Sequence, residues 1–243
     1  MGIETAALTD TGRVRDHNED SVCVAPTSAG RLLAVADGMG GHNAGAVASE
    51  IALETFVAEV GDRLADADPA AALAGAVLAA DDAVREAAAE DPDRDGMGTT
   101  LVAGLLDPEE TTVVNVGDSR AYRVDDTGIE QVSVDHSLVQ ELVEAGEITP
   151  EEAESHHQRN VISQALGAQD SIDPDTFTVD LDPGETLLCC SDGLTEEVDD
   201  STIHEVLTEA DSLTAATETL ASTANRNGGS DNVSVVLGRY TVD

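Results

Sequence analysis

Four acids stand out by their surroundings: Asp37, Asp118, Asp192 and Asp231. They lie in Asp37-Gly38-Met39-Gly40-Gly41-His42, Gly117-Asp118-Ser119-Arg120, Ser191-Asp192-Gly193 and Gly229-Ser230-Asp231-Asn232. Small neighbours let backbone approach closely, and each acid borders an apolar run of strand length. If these strand ends meet, four carboxylates in a chain without a single Lys need hard cations to coexist. Oxygen-only ligation selects Mg2+ or Mn2+ and argues against zinc, which takes His or Cys. Two such ions close together can activate a bridging water and clamp the oxygens of an in-line phosphoryl displacement. They also reverse the local field, so an acidic protein can still hold a phosphate. Arg13 and Arg15, in the polar loop before Asp20, offer guanidinium forks suited to that anion. The competing reading is that both merely pair with neighbouring acids.

The elements that must position these residues follow from periodicity. Ile3–Thr9, Ser21–Ala25 and Arg31–Ala36 read as strands, and Asn43–Val60 and Ala70–Ala89 as helices, the second entered through Asp68-Pro69. Gly98–Leu106 reads as a strand, and Thr111–Val116 and Ala121–Val124 as a hairpin turning at Gly117–Arg120, with Ile129–Val134 closing that series. Asp91–Gly96 imitates the start of a calcium loop, but Val102 stands where that loop needs Glu. From Asp135 to Gly167 the strand pattern breaks into short helical pieces, one opened by the capping box Thr149-Pro150-Glu151-Glu152. Within it His156-His157 reads as a solvated helix face whose neighbours point apart. Asp175–Leu181 and Glu185–Cys190 are strands around an Asp182-Pro183-Gly184 turn. Ser201–Glu209 and Leu213–Arg226 are helices, and Val233–Leu237 is a final strand.

Composition sets the outer bounds. The 243 residues suit one domain, 1–243, and 41% hydrophobic content gives a sizeable core. Aromatics are 2% with no Trp, so Val, Leu, Ile and Ala must build it. The three cysteines are expected to be buried free thiols in a reducing cytoplasm. No apolar run reaches membrane-spanning length, and no basic region with an apolar run opens the chain, so neither a membrane nor a secretory route is expected. Eleven basic residues, all Arg, face 50 acids for a net charge of −39. Nucleic acid and anionic membranes are therefore poor partners. The charge suggests adaptation to molar salt, where the Debye length is only about 3 Å and an acidic surface hardly repels itself.

The motifs also carry a resemblance. Arg15-x-x-Asn18-Glu19-Asp20, Asp37-Gly-Met-Gly-Gly-His42, Gly98-Thr-Thr100, Gly117-Asp-Ser-Arg120, Ser191-Asp-Gly193 and Gly229-Ser-Asp-Asn232 occur in the order typical of the metal-dependent protein phosphatases. By these the chain resembles the bacterial stand-alone members of the protein phosphatase 2C (PPM) family. The resemblance implies an α+β fold: a four-layer αββα sandwich, two antiparallel sheets flanked by helices. It implies that Asp37 bridges two Mn2+ or Mg2+ ions, with the carbonyl of Gly38 on the first. Asp192 and Asp231 would complete the second, Glu19 would hold metal-bound water, and Asp118 would help Asp192 hold a third ion. Arg15 would bind the substrate phosphate, and residues 135–167 would be the family's flap. Many eukaryotic members carry His directly after the Asp-Gly; here that position is Met39. Water or His42 then remains to protonate the leaving oxygen, and water is preferred because the motif spacing does not bring His42 to the phosphate.

The expected activity is hydrolysis of phosphoserine and phosphothreonine on the protein substrates of Ser/Thr kinases, by direct attack of metal-bound hydroxide, in a cytoplasmic monomer. The alternatives are a two-metal hydrolase of small phosphoesters and a silent regulatory module of the same fold. No Gly-x-Ser-x-Gly elbow and no Lys-bearing phosphate loop is present to support another chemistry.

Overall fold

Successive residues along a strand face opposite ways, and strands such as Leu101–Leu106 are apolar on both faces, so both must be covered. A computed structural model describes residues 2–40 and 44–241 and shows how. One sheet comprises β2 (Asp20–Pro26), β3 (Arg31–Met39), β5 (Leu101–Leu106), β6 (Thr111–Val116) and β9 (Asp175–Val179) in that spatial order, with the short β4 (Gly98–Thr99) beside β3. The other runs β1 (Gly2–Asp10), β11 (Val233–Thr241), β10 (Thr186–Cys190), β7 (Arg120–Val124) and β8 (Ile129–Gln131). Every pairing is antiparallel.

Three apolar layers follow. Leu33, Val35, Val102 and Val113 meet Ala121, Leu187, Cys189 and Val236 between the sheets. The alternate residues Leu32, Ala34 and Ala36 face outward onto α1 (Ala44–Arg63) and α2 (Pro69–Glu90), against Ala52, Phe56, Leu73 and Val77. On the other side Tyr122, Leu188 and Leu237 pack on α6 (Asp200–Glu209) and α7 (Leu213–Asn227) through Ile203, Leu207 and Leu220. The expected four-layer sandwich is what forms. No described helix is long and apolar enough to cross a membrane.

The hairpin expected from Thr111–Val116 and Ala121–Val124 does not exist. β6 pairs with β5 and β9, whereas β7 lies in the other sheet between β10 and β8. Gly117, at φ +108°, turns the chain across the sandwich instead of back along the same sheet. The Asp182–Gly184 turn makes the same switch, from β9 to β10. Apolar alternation reads identically whichever sheet a strand joins, so these crossings left no trace in the pattern. The strand expected over Gly98–Leu106 is likewise interrupted, because Thr100 leaves the ladder to donate its N–H to the carbonyl of Asp37 at 2.9 Å.

Cys189 and Cys190 are buried free thiols, on opposite faces of β10, and Cys23 is a half-buried one. Burial pushes the Cys189 thiol up to about 12, so it stays protonated and inert. The segment after Asp135 carries two short helices, α3 (Leu138–Glu144) and α4 (Pro150–Glu154); His156 and His157 lie beyond α4, not on a helix, and their ring centroids are 4.4 Å apart. The capping box of Thr149 and Glu152 forms as expected.

Glycine sets the spacing of the sheets at two places. A Cβ on Gly104 would stand 2.3 Å from Leu187 Cδ2, and one on Gly238 2.7 Å from Leu33 Cδ1. We expect Gly104→Val to lower stability by about 1–3 kcal/mol through overpacking. A denaturant titration measures it, and an unchanged midpoint would contradict this packing.

Candidate metal centre

The acids are mounted on strand ends from both sheets. Asp37, near the end of β3, lies directly opposite Asp20, the first residue of β2. The backbone of Asp37 is tied at both polar groups: its N–H donates to Thr100 Oγ1 at 3.0 Å, and its carbonyl accepts from Thr99 Oγ1 at 2.8 Å. Thr100 Oγ1 also meets Ser119 Oγ at 2.7 Å, which joins the Asp37 strand to the Asp118 crossover. Any Cβ on Gly117 would run into Thr100 at 2.6 Å, so this junction needs glycine for space as well as for its dihedral.

Asp192 follows β10 as the first residue of the short α5 (Asp192–Thr195). Ser191 Oγ donates to Asp20 Oδ2 at 2.9 Å and accepts from the N–H of Ser234 at 3.0 Å, linking β10 to both β2 and β11. Gly193 lies so close to β11 that a Cβ would sit 2.0 Å from the carbonyl oxygen of Asn232. Asp231 precedes β11 and receives Arg15 Nη2 at 2.5 Å. Arg15 therefore pairs with an acid of the site and not with an acid of its own loop.

Asn232 organises that loop. Its Oδ1 accepts the N–H of Glu19 at 2.9 Å, and its Nδ2 donates to the carbonyls of Thr11 and His17 at 2.9 and 3.0 Å. The segment carrying Arg15 and Glu19 is thus fastened to the same residue pair that presents Asp231. Gly38 is held small by its neighbours. A Cβ there would meet the carbonyl oxygens of Gly45 at 2.2 Å and Glu19 at 2.5 Å, so α1 and β2 crowd it from both sides.

Electrostatics show that these acids share one environment. The carboxyl of Asp37 is held well above its usual range by burial first, then by Asp20, Asp192, Asp118 and Asp231. Burial followed by Asp118 and Glu196 raises Asp192 to about 8. Burial raises Asp20 to about 6, and burial with Asp135 raises Asp118 to about 6. Glu19 is raised by burial, against the pull of Arg15.

Three carboxylate oxygens, Glu19 Oε1, Asp20 Oδ1 and Asp192 Oδ1, are buried without a hydrogen-bond donor. Buried acceptors in a like-charge cluster call for cations and the water those cations carry. The donors are oxygens, which fits Mg2+ or Mn2+. Among the described residues, no set of three His, Cys, Asp or Glu closes around a single point.

The structure brings Asp37, Asp118, Asp192, Asp231, Glu19 and Arg15 to one end of the sandwich, with Gly38 beside them. His42 lies outside the described residues. Sequence reasoning missed Asp20 as a separate member of the site. The β2–β3 hairpin closes Pro26 opposite Arg31, and counting back along that register sets Asp20 opposite Asp37.

A two-sheet sandwich with oxygen-rich acids and one arginine at its end is the architecture of a metal-dependent phosphatase. The profile of the protein phosphatase 2C family matches residues 12–237. The serine/threonine phosphatase Stp of Listeria welshimeri is 38% identical over 233 residues, covering 94% of this chain and 92% of the relative. The crystal structure of the Mycobacterium tuberculosis serine/threonine phosphatase PstP/Ppp superposes with a TM-score of 0.90 at 40% identity, covering all of both chains. The catalytic domain of PstP in complex with two manganese ions gives 0.86 at 39%, over 99% of each chain. The chain belongs to the protein phosphatase 2C family, and its enzymatic class is serine/threonine phosphatase.

The raised acids give pH dependence a definite sign. A carboxyl whose folded pKa is raised stabilises the fold fully below its unfolded value and loses that contribution as pH climbs through the folded one. The lowered acids Asp125, Asp199, Glu151 and Glu185 act at lower pH, so above about pH 5 the raised cluster governs. With chelator present, the melting temperature should fall as pH rises from about 5 to about 9. Added Mn2+ should reverse the trend, because it binds the deprotonated acids. Melting scans at constant high salt test both; a flat profile with chelator would refute the shared environment.

Proposed function

We propose that the chain, acting as one domain with residues 135–167 as a flap, hydrolyses phosphoserine and phosphothreonine on proteins, using two Mn2+ or Mg2+ ions and a third, weaker one. The observation that carries this reading is the gathering of Asp37, Asp20, Asp118, Asp192 and Asp231 from opposed sheets into one buried, mutually repelling set. The ions, when bound, supply an activated water as nucleophile and neutralise charge on the phosphoryl oxygens. Asp37 is assigned as the bridging ligand, with the carbonyl of Gly38 on the first ion. Asp192 and Asp231 serve the second, and Asp118 with Asp192 the third. Glu19 and Asp20, with their unpaired buried oxygens, orient the water around the ions.

Arg15 holds the substrate phosphate. Its bond to Asp231 sets its guanidinium beside the acids, so an arriving phosphate oxygen can compete for the same fork. With Met39 after Gly38, no acidic side chain follows the Asp-Gly step, and water protonates the departing serine or threonine oxygen. Attack is direct, without a phosphoenzyme, a reading supported by the sequence: no cysteine is followed six positions later by Arg, and no Gly-x-Ser-x-Gly elbow is present. We place the enzyme as a cytoplasmic monomer in a halophilic cell. Its charge of −39 with no Lys suits molar salt and disfavours nucleic acid and anionic membranes.

Asp37→Asn and Asp192→Asn should each reduce phosphopeptide hydrolysis by more than about a hundredfold, as loss of charge at a metal site does. At a pH high enough to ionise the raised carboxyls, both should also raise the melting temperature of the chelator-treated protein, because each then removes one charge from the cluster. Retained activity in both would refute the metal mechanism. Activity on an aryl phosphate but on no phosphopeptide would favour the small-phosphoester reading. For the halophilic reading, raising salt from about 0.1 M to about 2 M should increase the melting temperature and the activity. A protein equally folded and active in dilute buffer without added metal would overturn it.

A further inference from the structure

Gly117 stands immediately before Asp118, outside either strand ladder, and its peptide is held by one residue from the start of the 135–167 segment. The N–H of His136 donates to the carbonyl of Gly117 at 2.9 Å. In return the N–H of Gly117 donates to His136 Nδ1 at 3.3 Å. An N–H donor requires a bare Nδ1, so the ring proton sits on Nε2, which faces Asp175 Oδ2 at 3.1 Å. The neighbouring Asp135 takes Arg120 through Nε at 3.0 Å and Nη2 at 2.7 Å. The turn is therefore fastened on both sides of Asp118 by two adjacent residues.

We propose that His136 is the positioning residue for Asp118. Its Nδ1 holds the N–H on the strand side of Gly117 and its backbone N–H holds the carbonyl on the Asp118 side, so the ring fixes the dihedral of Gly117 and with it the direction of the carboxylate assigned to the weakest metal site. The inference rests on the metal reading of Asp118 given above. The bland reading is a buried histidine that merely fills space. The contacts argue against it: among the described residues the buried N–H of Gly117, a glycine of φ +108°, has only this ring to accept it, and the ring's far nitrogen is oriented by Asp175.

The test is Mn2+ titration calorimetry on the full chain in molar salt, with amide exchange at Gly117 as a second readout. His136→Ala should weaken the lowest-affinity Mn2+ by about 10- to 100-fold, the usual loss for an outer partner, and leave the tighter ions unchanged. His136→Asn carries an acceptor near the place of Nδ1 and should restore most of that affinity and the slow exchange of Gly117. His136→Gln, which resembles Nε2, should restore neither. Asp175 is half-exposed, so Asp175→Ala offers a variant expected to fold, with a smaller loss of the same kind. Unchanged weak-site affinity in His136→Ala, rescue by Gln equal to that by Asn, or a loss spread evenly over all ions would each overturn the proposal. Wild-type protein that binds two ions but no third would overturn it while leaving the phosphatase reading intact. Wild-type protein that binds no Mn2+ would overturn both.

Discussion

Asp37 cannot hold its charge without raising the free energy of Asp20, Asp118, Asp192 and Asp231, and each of them does the same to it. In a medium that screens poorly, such repulsion acts to splay side chains and open strand ends. Backbone bonds oppose it, since an acid cannot move away when its own peptide is fixed. Thr99 and Thr100 fix Asp37, Ser191 fixes the meeting of β2, β10 and β11, and Asn232 fixes the loop of Glu19. These are neutral hydroxyl and amide groups. A Lys or Arg in their place would relieve the repulsion and occupy the space that ions need. Local instability is retained at the one place where chemistry requires it.

The two crossings between sheets explain how the acids come to share that place. β6 leaves one sheet at Gly117 and β7 enters the other at Arg120, so Asp118 sits in the seam between them. β7 then pairs with β10, matching Arg120 with Cys190, which brings Asp192 alongside. Asp20 and Asp37 come from the first sheet and Asp231 from the second. A hairpin at Gly117–Arg120 would have kept Asp118 at an edge. The crossing turns an ordinary turn aspartate into a member of the cluster.

Strands and helices could be read from the sequence because apolar period and capping residues are local. The capping box at Thr149 and the Pro69 helix start are instances, correct to within a residue or two. The site acids could be read because small residues beside a strand-end Asp are an uncommon combination, and because the ordered motifs added a family pattern. Sheet membership could not be read, since β6 and β7 alternate in the same way whichever sheet they join. Asp20 was hidden for another reason. It matters through its cross-strand register to Asp37 and its bond from Ser191, 171 positions away, and neither belongs to a local pattern. The same holds for Asn232, whose three bonds reach back more than 200 positions.

The segment from 135 to 167 is stitched at both roots to the parts that hold the acids. At its start His136 and Asp135 bind the turn of Asp118. At its end Leu166 exchanges backbone hydrogen bonds with Thr99, the residue whose hydroxyl holds the carbonyl of Asp37. Gly167 donates its N–H to the buried Asp81 of α2, so that second root is anchored from behind as well. A displacement of the segment must therefore strain the backbone of Asp118, of Asp37, or of both. Coupling of that kind is reciprocal: whatever fixes the acids also fixes the segment, and whatever the segment binds acts back on the acids. The placement of the segment and the placement of the acids thus rest on the same few backbone bonds.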